Sequence, residues 1–293
     1  MVKVHFMHIF IVGTTHSGST VLYRLLAYHP EFSWLSQFSF RNGAIPNRKR
    51  IPWADFYDQL ARKLSVHVWS KNTNASFLVR LFAHVVPCPN EVPEIWNYVF
   101  PGLKRRFFTD KDIPEVEQRL KQILTASHNR DNRPHFLAKV PHLAQAIPVI
   151  AQIIPTSKFI HILRDGKAVA VSPAPLFDRG SQNALDHIGK RARYWKDTIL
   201  WMNGLQKELG EDRILSLKFE DLCEDVPGTM QKITDWAGMP NARCSYSRLP
   251  LSIPCNNKKR FQETHEKERE LILNIIGQTL DVMGYSNKYP YDT

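Results

Sequence analysis

The sequence predicts an α/β fold in which a central parallel β-sheet is covered by helices on both faces. Three observations point there. Short apolar, β-rich segments alternate along the chain with longer amphipathic ones, the order that builds a parallel sheet. The first such segment is stopped by a glycine and passes directly into a helical pattern. No stretch of linker composition divides the 293 residues, so a single domain over residues 1–293 is expected. The chain is 43% hydrophobic, with seven Trp, nine Tyr and sixteen Phe, which supplies a sizeable core and excludes disordered and fibrous classes.

Residues 6–12 are apolar and closed by Gly13, as expected of a buried strand. Val21, Leu22, Leu25 and Leu26 share one face of a helix expected over 19–28, and Pro30 ends it. Residues 31–35 form a second short strand. Residues 37–52 are polar, basic and without periodicity, so a loop is expected. Phe56, Leu60, Leu64 and Val68 give 53–69 helical spacing. Pro87, Pro89 and Pro93 break regular structure over 86–93. A helix over 114–128 carries Pro at its first turn and turns Val116, Leu120, Ile123 and Leu124 inward.

The second half continues the alternation. Residues 135–140 form a strand, and 142–154 a helix that Pro148 is expected to kink. The run 158–163 is the clearest strand after the first. A long amphipathic helix covers 183–209, and a strand covers 213–219. A helix over 226–237 is closed by Gly238 and Pro240. A charged helix covers 263–283.

Composition narrows the function classes. The apolar run near the N-terminus is short, is broken by His5 and His8, and lacks the h-region and cleavage site of a signal peptide. No window approaches 18 uninterrupted apolar residues, so no transmembrane helix is expected and the cytoplasm is the expected compartment. Cys88, Cys223, Cys244 and Cys255 show neither C-x-x-C spacing nor a compact Cys/His cluster. They read as reduced thiols and not as a zinc site, with a Cys244–Cys255 bridge left open. The formal charge of +11 favours an anionic partner: nucleic acid, a phosphate-bearing cofactor, an acidic glycan or a membrane surface.

The first strand delivers Gly13-Thr14-Thr15-His16-Ser17-Gly18-Ser19-Thr20 into a helix. Strand, glycine-bounded loop and helix together make a phosphate cradle, because loop N–H groups and the helix dipole point at one anion. The spacing nearly fits the P-loop, but Ser19 stands where its lysine belongs. Triphosphate hydrolysis needs that lysine, so anion binding survives and a kinase or ATPase is disfavoured. A second anchor is Arg164, at the carboxyl end of the strand over 158–163, where open α/β sheets bind ligands. Ser172, eight residues on, is placed to share the same phosphate. Asp165 reads as a helix N-cap.

Together these segments resemble the sulfotransferase family, whose members use 3′-phosphoadenosine-5′-phosphosulfate (PAPS) as donor. The resemblance is to the bacterial and Golgi-type branch, with its motifs F-I-V-G-x-x-R-S-G-S/T-T and F-I/V-x-x-x-R-D. Here these stand as Phe10-Ile11-Val12-Gly13-Thr14-Thr15-His16-Ser17-Gly18-Ser19-Thr20 and Phe159 to Asp165. Further matches are His29-Pro30, Lys139-x-Pro141, Lys218 to Leu222 and Trp236 to Pro240, in family order. Residues 38–133 carry no motif that aligns.

The resemblance implies a three-layer, doubly wound fold with a central parallel β-sheet, related to P-loop nucleotide kinases. It implies that Thr15, His16, Ser17, Gly18, Ser19 and Thr20 hold the 5′-phosphosulfate, and that Arg164 and Ser172 hold the 3′-phosphate. Lys258, Lys259 and Arg260 fall near the loop that closes over the cofactor, within a closing segment over 256–293. An acceptor-binding helical insertion is expected over 38–133, and its acceptor is a glycan, lipid, small molecule or protein tyrosine.

Sulfuryl transfer is an in-line displacement with charge building on the leaving oxygen, so catalysis is positioning plus electrostatic stabilisation. The SO3 group carries less charge than a phosphoryl group, so no metal is expected. Relatives place Lys or Arg in the loop where this chain has His16, and a dianionic neighbour would make His16 an imidazolium. Lys139 is the candidate for permanent charge at the sulfuryl group. The general base is open. Gln37 occupies the position of a familiar Glu, and an amide takes no proton. His142 is the candidate replacement, while His67, His84, Asp55 and Glu94 are unranked. A nucleotide-binding protein that kept the cradle and lost the base is the alternative. A nucleic-acid-binding protein rests on charge alone, without a recognisable motif.

Overall fold

The structure is a computed structural model that describes residues 6–36, 89, 91–102, 108–172, 184–239, 249–255 and 257–285. The loop expected over 37–52, the helix over 53–69, and Gln37, Asp55, His67, His84, Cys88 and Cys244 lie outside the described residues.

The described elements alternate as expected. β1 is His8–Gly13, α1 Ser19–Leu26 and β2 Phe32–Trp34, followed by α2 (Pro93–Val99) and α3 (Ile113–Asp131). β3 (His135–Lys139) leads through a 3₁₀ turn, Pro141–Ala146, into α4 (Ile147–Ile153) and then β4 (Lys158–Leu163). Next come α5 (Gly166–Ala170), the long α6 (Ala184–Leu209) and β5 (Ile214–Lys218). α7 (Phe219–Glu224), α8 (Val226–Ala237), α9 (Asn257–Gln262) and α10 (Glu266–Val282) complete the series.

All strand pairings are parallel, in the order β2-β3-β1-β4-β5. The strands alternate their side chains between two faces, and both faces are buried. Phe10 and Val12 of β1, Phe136 and Ala138 of β3 and Phe159 of β4 face a core built with α2, α3 and α4. Phe10 stacks on Phe159 with centroids 5.8 Å apart. Ile9, Ile11, Leu137, Ile160 and Ile162 face the opposite layer, α1, α7 and α8. A third cluster around Trp195 joins α5, α6, α9 and α10. Strands covered on both faces explain why they read as continuous apolar runs.

Two expectations change. Residues 142–154 are not one kinked helix: a 3₁₀ turn precedes α4, and Pro148 sits in the first turn of α4, where no N–H is needed. Pro93 does not break structure but starts α2 by the same logic. Within 38–133, Ile95 and Trp96 of α2 pack against the sheet, as do Val116, Leu120 and Ile123 of α3, the inward face expected of the 114–128 helix. Among the described residues no helix is long and apolar enough to cross a membrane.

Candidate active site

Register aligns the carboxyl ends of the central strands. Gly13 of β1 pairs with Ile162 of β4, and Ile11 pairs with Lys139 of β3. The glycine loop, Lys139 and Arg164 therefore emerge at one edge, at the point where the chain winds away on either side of β1. That crevice is where doubly wound sheets bind ligands.

The loop is held by close backbone packing. A Cβ on Gly13 would lie 2.6 Å from the Ile162 carbonyl oxygen. Gly18 adopts φ 88° and caps α1 without a side-chain hydrogen bond. The Phe219 ring packs against it, 2.1 Å from where a Cβ would stand. His16 also takes a left-handed conformation, φ 66°, uncommon outside glycine. The Val21 and Leu22 N–H groups bond back to the Gly18 carbonyl. No backbone carbonyl among the described residues claims the N–H groups of Gly18, Ser19 and Thr20. The opening of α1 thus presents donors and the positive end of its dipole to the crevice.

A pocket of about 330 Å³ lies over this loop, lined by Thr15, His16, Gly18, Ser19, Thr20 and Phe219, with Lys139, Arg164 and Glu91. Lys139 is buried and donates to Thr20 Oγ1 at 2.9 Å and to Glu91 Oε2 at 3.0 Å. Arg164 donates to the His16 carbonyl at 2.8 Å, and its guanidinium lies 5.1 Å from the Phe219 ring centroid. Burial holds the His16 imidazole below its ordinary pKa, reinforced by Arg191, Arg164, Arg260 and Lys139 in that order. Four cations therefore act on one loop. The protein's own groups favour neutral His16, and an anion bound among them would oppose that bias.

The elements behind the pocket are tied together by polar contacts. Asp165 accepts the Lys167 N–H at 2.9 Å and caps α5, as the sequence suggests. Its own N–H donates to Glu220 Oε1, and Glu220 Oε2 accepts the Tyr285 hydroxyl. Trp195 Nε1 donates to the Arg164 carbonyl at 2.9 Å. β4, α6, α7 and the end of α10 thereby share responsibility for where Arg164 points.

Of the expected loop residues, five line the pocket and Ser17 does not. It is fully buried, and its N–H is bonded to the Thr14 carbonyl. Ser172 is buried too, and its hydroxyl donates to the Ala168 carbonyl at 2.7 Å. Its carbonyl accepts from Arg191 of α6. Ser172 thus anchors a cation that the sequence reading missed, because Arg191 is one basic residue among several on a long helix. Arg260 is exposed on α9 and acts on His16, while the side chains of Lys258 and Lys259 are outside the described set. His142 falls in the 3₁₀ turn, and its side chain is likewise not described. Glu94 is exposed on the first turn of α2. Glu91, three residues earlier, is the carboxylate that reaches the pocket, from a proline-rich stretch with no periodicity to flag it. Among the described residues no cluster of three His, Cys, Asp or Glu is arranged to hold a metal ion.

Comparison with solved structures returns the same fold. A sulfotransferase from Mycobacterium avium superposes with a TM-score of 0.65 at 15% identity, covering 95% of this chain and 77% of that one. A sulfotransferase from Mycobacterium tuberculosis H37Rv gives 0.55 at 17% identity, over 93% and 78% of the two chains. No curated protein sequence matches. The model of the sulfotransferase family matches residues 8–243, from β1 past α8 and so across the whole sheet and its crevice. The chain belongs to the sulfotransferase family, enzymes that transfer a sulfuryl group from PAPS to an acceptor.

Proposed function

We propose that this pocket binds the donor's 5′-phosphosulfate over the glycine loop and its 3′-phosphate beside Arg164, and that the acceptor is a hydroxyl-bearing molecule and not a nucleic acid. The observation that carries the reading is the pocket over the glycine loop at the start of α1, lined by Lys139 and Arg164, with Arg191 and Arg260 also acting on His16. Cations and helix-terminal donors are the groups that a phosphate-rich ligand needs. Bound PAPS supplies an activated sulfuryl group, and the chain supplies the positioning and charge.

The residues divide the work. Thr15, Gly18, Ser19 and Thr20 surround the 5′ anion. Lys139, held between Thr20 and Glu91, neutralises charge where the sulfuryl group sits. Arg164 meets the 3′-phosphate, and Arg191, fixed by the Ala170 and Ser172 carbonyls, adds charge from α6. Arg260 adds positive charge from α9. His16 becomes an imidazolium when an anion offsets the neighbouring cations.

Thermal unfolding with adenosine 3′,5′-bisphosphate tests the reading. A ligand bound only by the folded chain raises the melting temperature with concentration. A rise with this ligand and none with ATP is expected. No rise with saturating bisphosphate overturns the donor assignment.

A further inference from the structure

We infer that Glu91 is the general base that takes the proton from the acceptor hydroxyl, a role resting on the sulfotransferase reading above. Glu91 is the carboxylate among the described residues that line the pocket. It comes from the segment that enters α2. Its partner fixes its side of the reaction. Lys139 Nζ lies 2.9 Å from Thr20 Oγ1 on the helix that opens the cradle, and 3.0 Å from Glu91 Oε2. In-line displacement places the attacking and leaving oxygens on opposite sides of sulfur. A cation that serves the transferring group then has the leaving phosphate on one side and the attacking oxygen on the other. Thr20 ties Lys139 to the cradle, and Glu91 places a carboxylate beside the same ammonium.

Burial and anchoring suit the role. Lys139 is 8% exposed at its side chain, whereas Glu91 is 25% exposed, so an acceptor can reach the carboxylate. The backbone that carries it is fixed by its neighbours, since Val92 and Ile95 are fully buried and Trp96 nearly so. A base must sit within hydrogen-bond reach of the proton it removes, and a core-anchored segment holds that distance better than a free loop.

The step balances. The acceptor oxygen forms a bond to sulfur while its O–H proton passes to a Glu91 carboxylate oxygen. The bond from sulfur to the bridging phosphate oxygen breaks, and that oxygen keeps the electron pair. Glu91 afterwards releases the proton to water, leaving a sulfate ester and adenosine 3′,5′-bisphosphate.

Two variants and two acceptors test this. Glu91→Gln keeps the shape and an oxygen for Lys139 but accepts no proton. It should lower kcat on an unactivated aliphatic alcohol by roughly 10²–10⁴-fold, the span of general base catalysis. The loss should shrink on 4-nitrophenol, whose acidic hydroxyl needs little help. The melting-temperature rise with adenosine 3′,5′-bisphosphate should persist, which separates failure of this assignment from failure of the donor assignment. Added formate should restore part of the rate to Glu91→Ala. Undiminished turnover by Glu91→Gln overturns the role. So does an equal loss on both acceptors, or a loss accompanied by loss of bisphosphate binding, either of which makes Glu91 a counter-ion for Lys139. A wild-type chain that binds the bisphosphate yet transfers sulfate to neither acceptor overturns it too.

Discussion

Gly18 meets two demands that a side chain cannot meet together. Its φ of 88° is one that L residues rarely adopt, and the Phe219 ring occupies the space of a Cβ. Gly18→Ala should destabilise the chain by roughly 1–3 kcal/mol, through strained backbone and an overpacked contact. Because Phe219 also lies under Arg164, the variant should lose bisphosphate affinity as well, which thermal shift and urea unfolding read separately. Retained stability with retained affinity would mean that Phe219 moves aside freely. The glycine loop, Lys139 and Arg164 were legible in the sequence because each abuts a strand end, and strand ends carry a local signal. Arg191 and Glu91 were not. Arg191 acts on the loop from the first half of a 26-residue helix, where periodicity tells which face is apolar but not what the other face meets. Glu91 differs from exposed Glu94 only through tertiary placement.

The short helix α5 shows how an element positions a charge. It has five residues and begins directly after Arg164 and Asp165. So short a helix is not self-sustaining in water, so its geometry rests on the Asp165 cap, the Trp195 bond to the Arg164 carbonyl and the Glu220 bond to the Asp165 N–H. Asp165→Ala should cost about 1 kcal/mol, the usual value of such a cap. It should also weaken bisphosphate binding, because the guanidinium one residue away loses its fixed origin. Asp165→Asn keeps an accepting oxygen and should recover most of both. If Ala and Asn behave alike in calorimetry, the cap is not what orients Arg164. Elements of this size escaped the sequence reading. α5 and α7 hold five and six residues, too few for a 3.6-residue period to appear. The prolines misled for a related reason: at Pro93 and Pro148 the ring lies in a first helical turn, where its missing N–H costs nothing.

Across the whole molecule, the parallel sheet was legible because two buried faces write continuous apolar runs. The order β2-β3-β1-β4-β5 was not, since it depends on which side each crossover returns and no local signal records that. The sheet interior also buries groups with no part in transfer, and they govern how the fold responds to acid. His161 lies in β4 at 1% exposure, its Nδ1 has no hydrogen-bond partner among the described residues, and burial depresses its pKa from 6.5 to about 4. His8 at the start of β1 is lowered to about 4 by burial and by the neighbouring His135. Above the ordinary value both states hold these rings neutral, and stability is independent of them. Between about 6.5 and about 4 the unfolded chain takes up protons that the folded chain refuses, so stability falls as pH falls. Below about 4 both states are protonated and the dependence flattens. For His161 the full effect is on the order of 3 kcal/mol. Urea unfolding at pH about 7.5 and about 5 should therefore show a large drop in midpoint. His161→Leu removes one titrating group from the sheet interior, and should shrink that drop while leaving the remainder to His8, His16, His29 and His135, whose pKa values burial also lowers. An identical drop in the two proteins would mean that His161 is reached by protons without unfolding, and that the sheet opens locally at β4.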